Sequence, residues 1–324
     1  MFFQTKNIKI YSETHEIASP YFLGDVSSKI LVASDIHYHL HVSKKSFLSL
    51  VQYCREIKPD FVVMPGDLIE TIDFIDNYKE REFFEGIIKA MAEVAPVIIV
   101  PGNHEMGNFN VNNCYSRDYI ENIKALRYFE SLNRIKNVYF LNNTQISLNG
   151  MSFLGFNPRL ATYLKKDDEK TNEMFIEDYL KSGLKMKETD YNILLTHSPI
   201  LLTNPTVTEN ISDFHSLTDL AITGHLHDGY LPKCLDNLFK NSNIGLFFTP
   251  FALPIPGMIC RGIHDFGRGY LFVSQGFRKI TADIALFNTL DKITANDVEQ
   301  LIITNSDTIN EESRASKRIN LTLR

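Results

Sequence analysis

Five short blocks of this chain share one grammar: an apolar run stops, and an Asp, Asn or His follows at once. Lys29-Ile30-Leu31-Val32-Ala33-Ser34 runs into Asp35-Ile36-His37, and Phe61-Val62-Val63-Met64-Pro65-Gly66 runs into Asp67. Val97-Ile98-Ile99-Val100-Pro101-Gly102 runs into Asn103-His104-Glu105, Asn192-Ile193-Leu194-Leu195-Thr196 into His197, and Leu220-Ala221-Ile222-Thr223-Gly224 into His225-Leu226-His227. Carboxylate, amide oxygen and imidazole are donors for hard or borderline divalent ions, and imidazole also moves protons near neutral pH. Gathered into one site, Asp35, His37, Asp67, Asn103, His104, His197, His225 and His227 hold enough donors for two such ions, provided that one carboxylate is shared. Oxygen and nitrogen donors without sulfur select Mn, Fe, Zn or similar ions over copper(I) or iron–sulfur clusters. Two ions about 3.5–4 Å apart clamp a phosphoryl group: they lower the pKa of a bridging water and neutralise the entering and leaving oxygens.

Such residues act together only if the chain delivers them to one place. β-Branched runs of this length read as buried strands, and open α/β sheets build their sites where strands end. Between the first three runs the apolar positions recur at helical spacing: Phe47, Leu48, Leu50, Val51, Cys54 and Ile57 behind a capping Ser43, then about Asn77 to Glu93. Strand, helix, strand, helix, strand at this spacing predicts parallel βαβ units. A further amphipathic helix is expected over 117–135, then strands at Val138–Leu141, Thr144–Leu148 and Met151–Phe156, the last two joined by an Asn149-Gly150 turn. Residues 7–30 read as a lead-in strand or hairpin covering a sheet edge, and 158–190 as a polar helical stretch with room for a small cap over the site. Gly269–Ser274 and Lys279–Phe287 read as a final hairpin; from about Thr289 a short acidic helix and a polar, peripheral tail are expected. The domain boundaries that follow are 1–288 and 289–324.

At 324 residues with 44% hydrophobic content, the chain can bury a large core. Its net charge of −6 argues against a protein that coats nucleic acid, which needs clustered Lys and Arg. Cys54, Cys114, Cys234 and Cys260 stand far apart, as reduced thiols and not as a disulfide frame or a thiolate zinc site. Met1-Phe2-Phe3-Gln4-Thr5-Lys6 lacks the apolar core of a signal peptide, and no run reaches the ~18 apolar residues of a membrane span, so the cytoplasm is the expected address.

Asp35-x-His37, Gly66-Asp67, Gly102-Asn103-His104-Glu105, His197 and Gly224-His225-x-His227, in that order, resemble the calcineurin-like metallophosphoesterase family. The one departure is Glu105, where Asp is more usual; a carboxylate behind the ligands tolerates it. The resemblance implies a four-layer α/β/β/α sandwich with two central sheets and a dinuclear site at the strand ends. It implies that Asp35, His37 and His227 hold one metal and Asn103, His197 and His225 the other, with Asp67 shared. His104 is then a catalytic group near the substrate phosphate, not a ligand.

The implied activity is metal-dependent hydrolysis of a phosphodiester or phosphomonoester; the alternative is an inactive scaffold of the same fold. Within the enzymes a nuclease fits the acidic charge less well. A protein phosphatase would carry an Arg beside the Asn-His block, where Glu105 and Met106 stand. The lead-in before Lys29 and the stretch from Gly262 to Gly276 resemble a bacterial subgroup of predicted phosphohydrolases, some acting on nucleotide-linked lipid precursors. A small-molecule or lipid-linked phosphoester is therefore the expected substrate, and peripheral membrane contact stays open. His39, His41 and His264 lie near these motifs without an assigned role, His15 and His215 receive none, and Leu246–Pro256 reads as a core strand with a Pro-rich loop. Arg159, Arg261 and Arg268 are candidate phosphate contacts by their place in rim loops.

Overall fold

Each of the five apolar runs becomes a strand in the computed structural model of the chain, which describes residues 10–24, 27–38, 42–106, 119–162, 169–199, 201–203, 205–211, 218–227, 261–265, 269–277 and 297–305. In chain order the first half contains β1 (Tyr11–Ser19), β2 (Ser28–Val32), α1 (Lys44–Ile57), β3 (Phe61–Pro65), α2 (Tyr78–Ala92), β4 (Val97–Val100), the single turn α3 (Asn103–Met106), α4 (Tyr119–Ser131) and β5 (Val138–Phe140). The second half adds β6 (Thr144–Leu148), β7 (Met151–Gly155), α5 (Glu169–Ser182), β8 (Tyr191–Leu195), α6 (Pro205–Asn210), β9 (Leu220–Thr223), β10 (Gly262–Asp265), β11 (Tyr270–Val273) and β12 (Asp297–Asn305).

The strands form two six-stranded sheets, ordered β1-β12-β2-β3-β4-β5 and β10-β11-β9-β8-β7-β6. The βαβ expectation holds: β2, β3, β4 and β5 are mutually parallel, as are β7, β8, β9 and β11. The apolar runs are continuous and not alternating because both faces of each strand are covered. Ile30, Val32, Val63, Ile98 and Val100 of the first sheet meet Phe153, Ile193, Leu195, Ile222 and Phe272 of the second in a core between the sheets. On the outer face of the first sheet, Leu31, Val62, Met64 and Ile99 pack against α1, α2 and α4; on that of the second, Leu154, Leu194 and Ala221 pack against α5 and α6. The result is the four-layer α/β/β/α arrangement. Ser43 caps α1, its hydroxyl accepting from Ser46 N–H at 3.1 Å, and Asn149 (φ 51°) with Gly150 (φ 77°) makes the left-handed hairpin turn between β6 and β7.

Four placements differ from the sequence reading. Residues after Thr289 are not a short acidic helix and peripheral tail throughout: Asp297–Asn305 form the strand β12, which lies inside the first sheet, parallel to β1 and antiparallel to β2, so the folded domain runs past residue 288 to at least Asn305. Its Glu and Gln residues disguise a strand whose Val298, Leu301 and Ile303 are buried. The lead-in strand β1 is an edge strand as expected, but it pairs with β12 and not with β2. Within 158–190, α5 covers the outer face of the second sheet through Phe175 and Tyr179 against Phe156; it is a layer of the fold and not a cap. Gly269–Ser274 does supply β11, yet its antiparallel partner is β10, and residues 279–287 lie outside the described residues.

Candidate metal centre

At the ends of β2, β3 and β9 the backbone leaves the sheet through left-handed conformations. Asp35 (φ 54°), His37 (φ 49°), Asp67 (φ 52°), His225 (φ 73°) and His227 (φ 47°) all adopt them. This costs roughly 1–2 kcal/mol for an L-residue, least for Asp, Asn and His, and such strain collects at functional sites. The turns are packed to the limit. A Cβ on Gly102 would strike the Asp67 carboxylate, and one on Gly224 would strike that of Asp35, so the glycine in each motif lets a carboxylate lie against backbone.

The structure brings Asp35, His37, Asp67, His197, His225 and His227 together across the two sheets, with Asn103 buried at the end of β4. The first sheet supplies Asp35, His37, Asp67 and Asn103; the second supplies His197, His225 and His227; all are buried. Donor atoms of Asp35, His37, Asp67 and His227 lie within 4.8 Å of one another, as do those of Asp67, His197 and His225, so Asp67 belongs to both groups. Asp67 Oδ1 accepts from His104 N–H (2.9 Å), while Oδ2 faces His197 Nε2 (3.0 Å) and His37 Nε2 (3.8 Å). His37 Nε2 and His227 Nε2 stand 3.2 Å apart, and His227 Nε2 is 3.4 Å from Asp35 Oδ1. His225 Nδ1 is 3.2 Å from His197 Nε2, and its backbone N–H donates to both Asp35 oxygens, at 3.0 and 3.1 Å.

Hydrogen-bond partners assign the tautomers. His197 Nδ1 donates to Pro65 O (2.7 Å) and His37 Nδ1 lies 2.8 Å from Glu70 Oε2, so in the neutral rings both lone pairs sit on Nε2 and point into the cluster. A lone pair aimed at the Asp67 carboxylate is repelled unless a cation lies between them. The titration follows. Burial opposes a charged His197, but Asp67 overrides it and lifts the imidazole to about 9, while the surrounding imidazoles hold the buried Asp67 carboxyl well below its usual range. His37 is pushed down to about 4 by burial and by His104, and His225 well below its usual value by burial and by His197. A proton on His197 stands in for a cation. This donor set fits divalent metal ions.

Metal binding is therefore linked to proton release. At pH 7 metal uptake must displace the His197 proton, whereas His37 and His225 already have lone pairs to offer. Calorimetry of Co²⁺ binding in buffers of different ionisation enthalpy should therefore show release of about one proton. Affinity should climb with pH up to and through about 9, above which that group is neutral, and fall more steeply below about 4, where His37 also protonates. Uptake without proton release at pH 7 would contradict the His197–Asp67 pairing.

Behind the ligands two carboxylates organise the loops. Glu105 accepts four backbone N–H groups: Gly102 (2.7 Å) and Asp67 (2.9 Å) on Oε2, Leu68 (2.7 Å) and Ile69 (3.2 Å) on Oε1. It thereby ties the loop after β3 to the loop after β4. Glu70 escaped the sequence reading. Its carboxylate faces His37 Nδ1, and its backbone carbonyl accepts from His104 Nδ1 at 2.6 Å. The available signal was a carboxylate three residues after Asp67 in the same strand-end loop.

Among the remaining candidates, His264 lies in β10 with Nε2 3.1 Å from Arg261 O, and His15 stacks edge-on to Phe272, both outside the donor groups. Arg159 is bound to Asp178 and Glu177 of α5, and Arg261 is buried at the start of β10. His39, His41, His215, Arg268 and Leu246–Pro256 lie outside the described residues, as do Cys114, Cys234 and Cys260; Cys54 is a buried free thiol. No helix among the described residues is long and apolar enough to cross a membrane.

A sequence model described as calcineurin-like phosphoesterase matches residues 28–229. An uncharacterized metallophosphoesterase of Helicobacter pylori is 23% identical over 208 residues, which are 64% of this chain and 46% of that protein. A DNA double-strand break repair protein Mre11 of Methanococcus maripaludis is 25% identical over 196 residues, 59% of this chain and 47% of that one. The chain thus spans about half the length of the curated relatives it matches. Among solved structures, the phosphopantetheinyl hydrolase of Mycobacterium tuberculosis aligns with 78% of this chain and 90% of its own, at 12% identity and a TM-score of 0.40.

Proposed function

The chain belongs to the calcineurin-like phosphoesterase family, which implies metal-dependent phosphoester hydrolysis, and from that premise we propose a hydrolase with two divalent ions in one shared site. The observation that carries the two-ion reading is Asp67, whose carboxylate belongs to two separate donor groups. Asp35, His37 and His227 would hold one ion and Asn103, His197 and His225 the other, with Asp67 between; Mn, Fe or Zn suits these donors. Bound there, the ions supply charge that polarises the phosphoryl group and acidifies a water.

The chain's own residues do the rest. His37 and His197 are held by Glu70 and Pro65 O in the tautomer that presents Nε2. His104 has its ring fixed by Glu70 O. Burial opposes its charge, but Asp67 and that carbonyl together raise its pKa, so a proton is available on Nε2 for a leaving oxygen or a phosphoryl oxygen.

A small-molecule or lipid-linked phosphodiester is the substrate we favour, because a net charge of −6 suits a polyanion poorly. The match to a DNA double-strand break repair protein supports a phosphoesterase acting on nucleic acid as the second reading. Turnover of bis-4-nitrophenyl phosphate with Mn²⁺ should be readily measurable, with close to two ions per chain by elemental analysis. No turnover with Mn²⁺, Zn²⁺, Co²⁺ or Ni²⁺, or no bound metal, would sink the enzyme in favour of a scaffold. A panel of nucleotides, UDP-linked lipids and single-stranded oligonucleotides then separates the two substrate readings.

A further inference from the structure

The candidate ligands come from two different sheets, so the site survives only if the sheets keep their relative position at this end. Besides the direct links His225 N–H to Asp35 and His197 Nδ1 to Pro65 O, a short segment after β11 joins them there. Ser274 N–H, just after β11 in the second sheet, donates to Thr223 O (2.9 Å), two residues before His225. Three residues on, Phe277 N–H donates to Ser34 O (2.8 Å), the residue before Asp35, and the Phe277 ring is buried in the helix-side core of the first sheet. The turn between them passes through Gly276 at φ 80°, where an L-residue would be strained, and Gly276 N–H donates to Ser274 Oγ at 3.2 Å.

What holds this turn is Glu299 of β12. Its Oε1 accepts from Gln275 N–H (2.6 Å) and its Oε2 from Ser274 Oγ (3.0 Å). Glu299 pairs in register with Val32, the last residue of β2, and is 1% exposed. It shares one face of the strand with Leu301 and Ile303, which face the core between the sheets. A carboxylate in that row is costly to bury, and an apolar residue would pack there without penalty. We propose that Glu299 is a positioning residue for the metal site: it holds the strap Ser274–Phe277, which fixes Asp35 of one sheet against His225 and His227 of the other. It lies outside the family-matched residues, 28–229, and the proposal rests on reading those side chains as metal ligands.

Co²⁺ binding to the full chain tests it, by calorimetry and by the visible absorption spectrum, which reports coordination geometry. Glu299→Ala should weaken Co²⁺ binding ~10–100-fold, the range for partners that orient ligands, and alter the spectrum. Glu299→Gln keeps an oxygen for Gln275 N–H and should recover most of the affinity. Ser274→Ala removes one of the two contacts and should shift affinity the same way by less, which keeps the test open if Glu299→Ala does not fold. Leu301→Ala, a cavity in the same strand away from the strap, should lower the Tm and leave affinity and spectrum unchanged. Wild-type affinity and spectrum in the Glu299 and Ser274 variants, or an equal loss in Leu301→Ala, overturns the strap while the ligand assignment stands. A wild-type chain that binds no Co²⁺ overturns the ligand assignment and the strap with it.

Discussion

Asp67→Ala should leave the chain with little bound metal and no measurable phosphoesterase turnover. Removing a ligand empties a coordination position, so the loss should exceed the ~10–100-fold typical of outer partners. At Asp67 it should empty two, because Oδ2 faces both His37 and His197 while Oδ1 holds His104 N–H. Asp67→Asn separates charge from shape: the amide oxygen can still accept from His104 N–H, but the charge that holds His197 protonated is gone. Its residual metal uptake at pH 7 should accordingly release no proton, in contrast to wild type. Elemental analysis and calorimetry measure both effects. An Asp67→Ala protein that retains two ions would refute the shared-ligand reading.

His104→Ala should do the opposite, keeping both ions while kcat falls ~10²–10⁴-fold, the usual worth of general acid help or transition-state stabilisation. The loss should shrink for a nitrophenolate leaving group if Nε2 protonates the leaving oxygen, and stay equal for good and poor leaving groups if the ring only stabilises charge. The geometry makes this a sharp test, because His104 also lies within 4.8 Å of donor atoms of Glu70 and His37. If the variant came out metal-free, His104 would be a ligand and the set around it would need redrawing. Glu70 supports the catalytic reading, since its carbonyl takes His104 Nδ1–H and leaves Nε2 as the atom that exchanges a proton.

The strand-end motifs were legible because the physics behind them is local. A strand buried on both faces needs an unbroken apolar run, and a site at its end places the functional residues next in sequence. That is why β2, β3, β4, β8 and β9, and Asp35, His37, Asp67, Asn103, His104, His197, His225 and His227 behind them, could be read directly from the chain. The helices between the first strands followed from apolar spacing, and the capping Ser43 from its hydroxyl. The order of the blocks, matched to a family, implied which ligands belong together.

Pairings between distant parts of the chain required the tertiary structure. β12 reads as a polar tail because Glu299 and Gln300 break its apolar pattern, and nothing local says that it enters a sheet between β1 and β2. The charge run before α5 is equally compatible with a cap or an outer layer; burial of Phe175 and Tyr179 against Phe156 decides for the layer. Glu70 and Glu299 are two acidic residues among 39 Asp and Glu until the fold sets one against His37 and the other under Ser274 and Gln275. Sequence determines what a residue can donate or accept. Which group it meets is decided by sheet order and register, set by contacts as distant in the chain as His37 and His227, 190 residues apart.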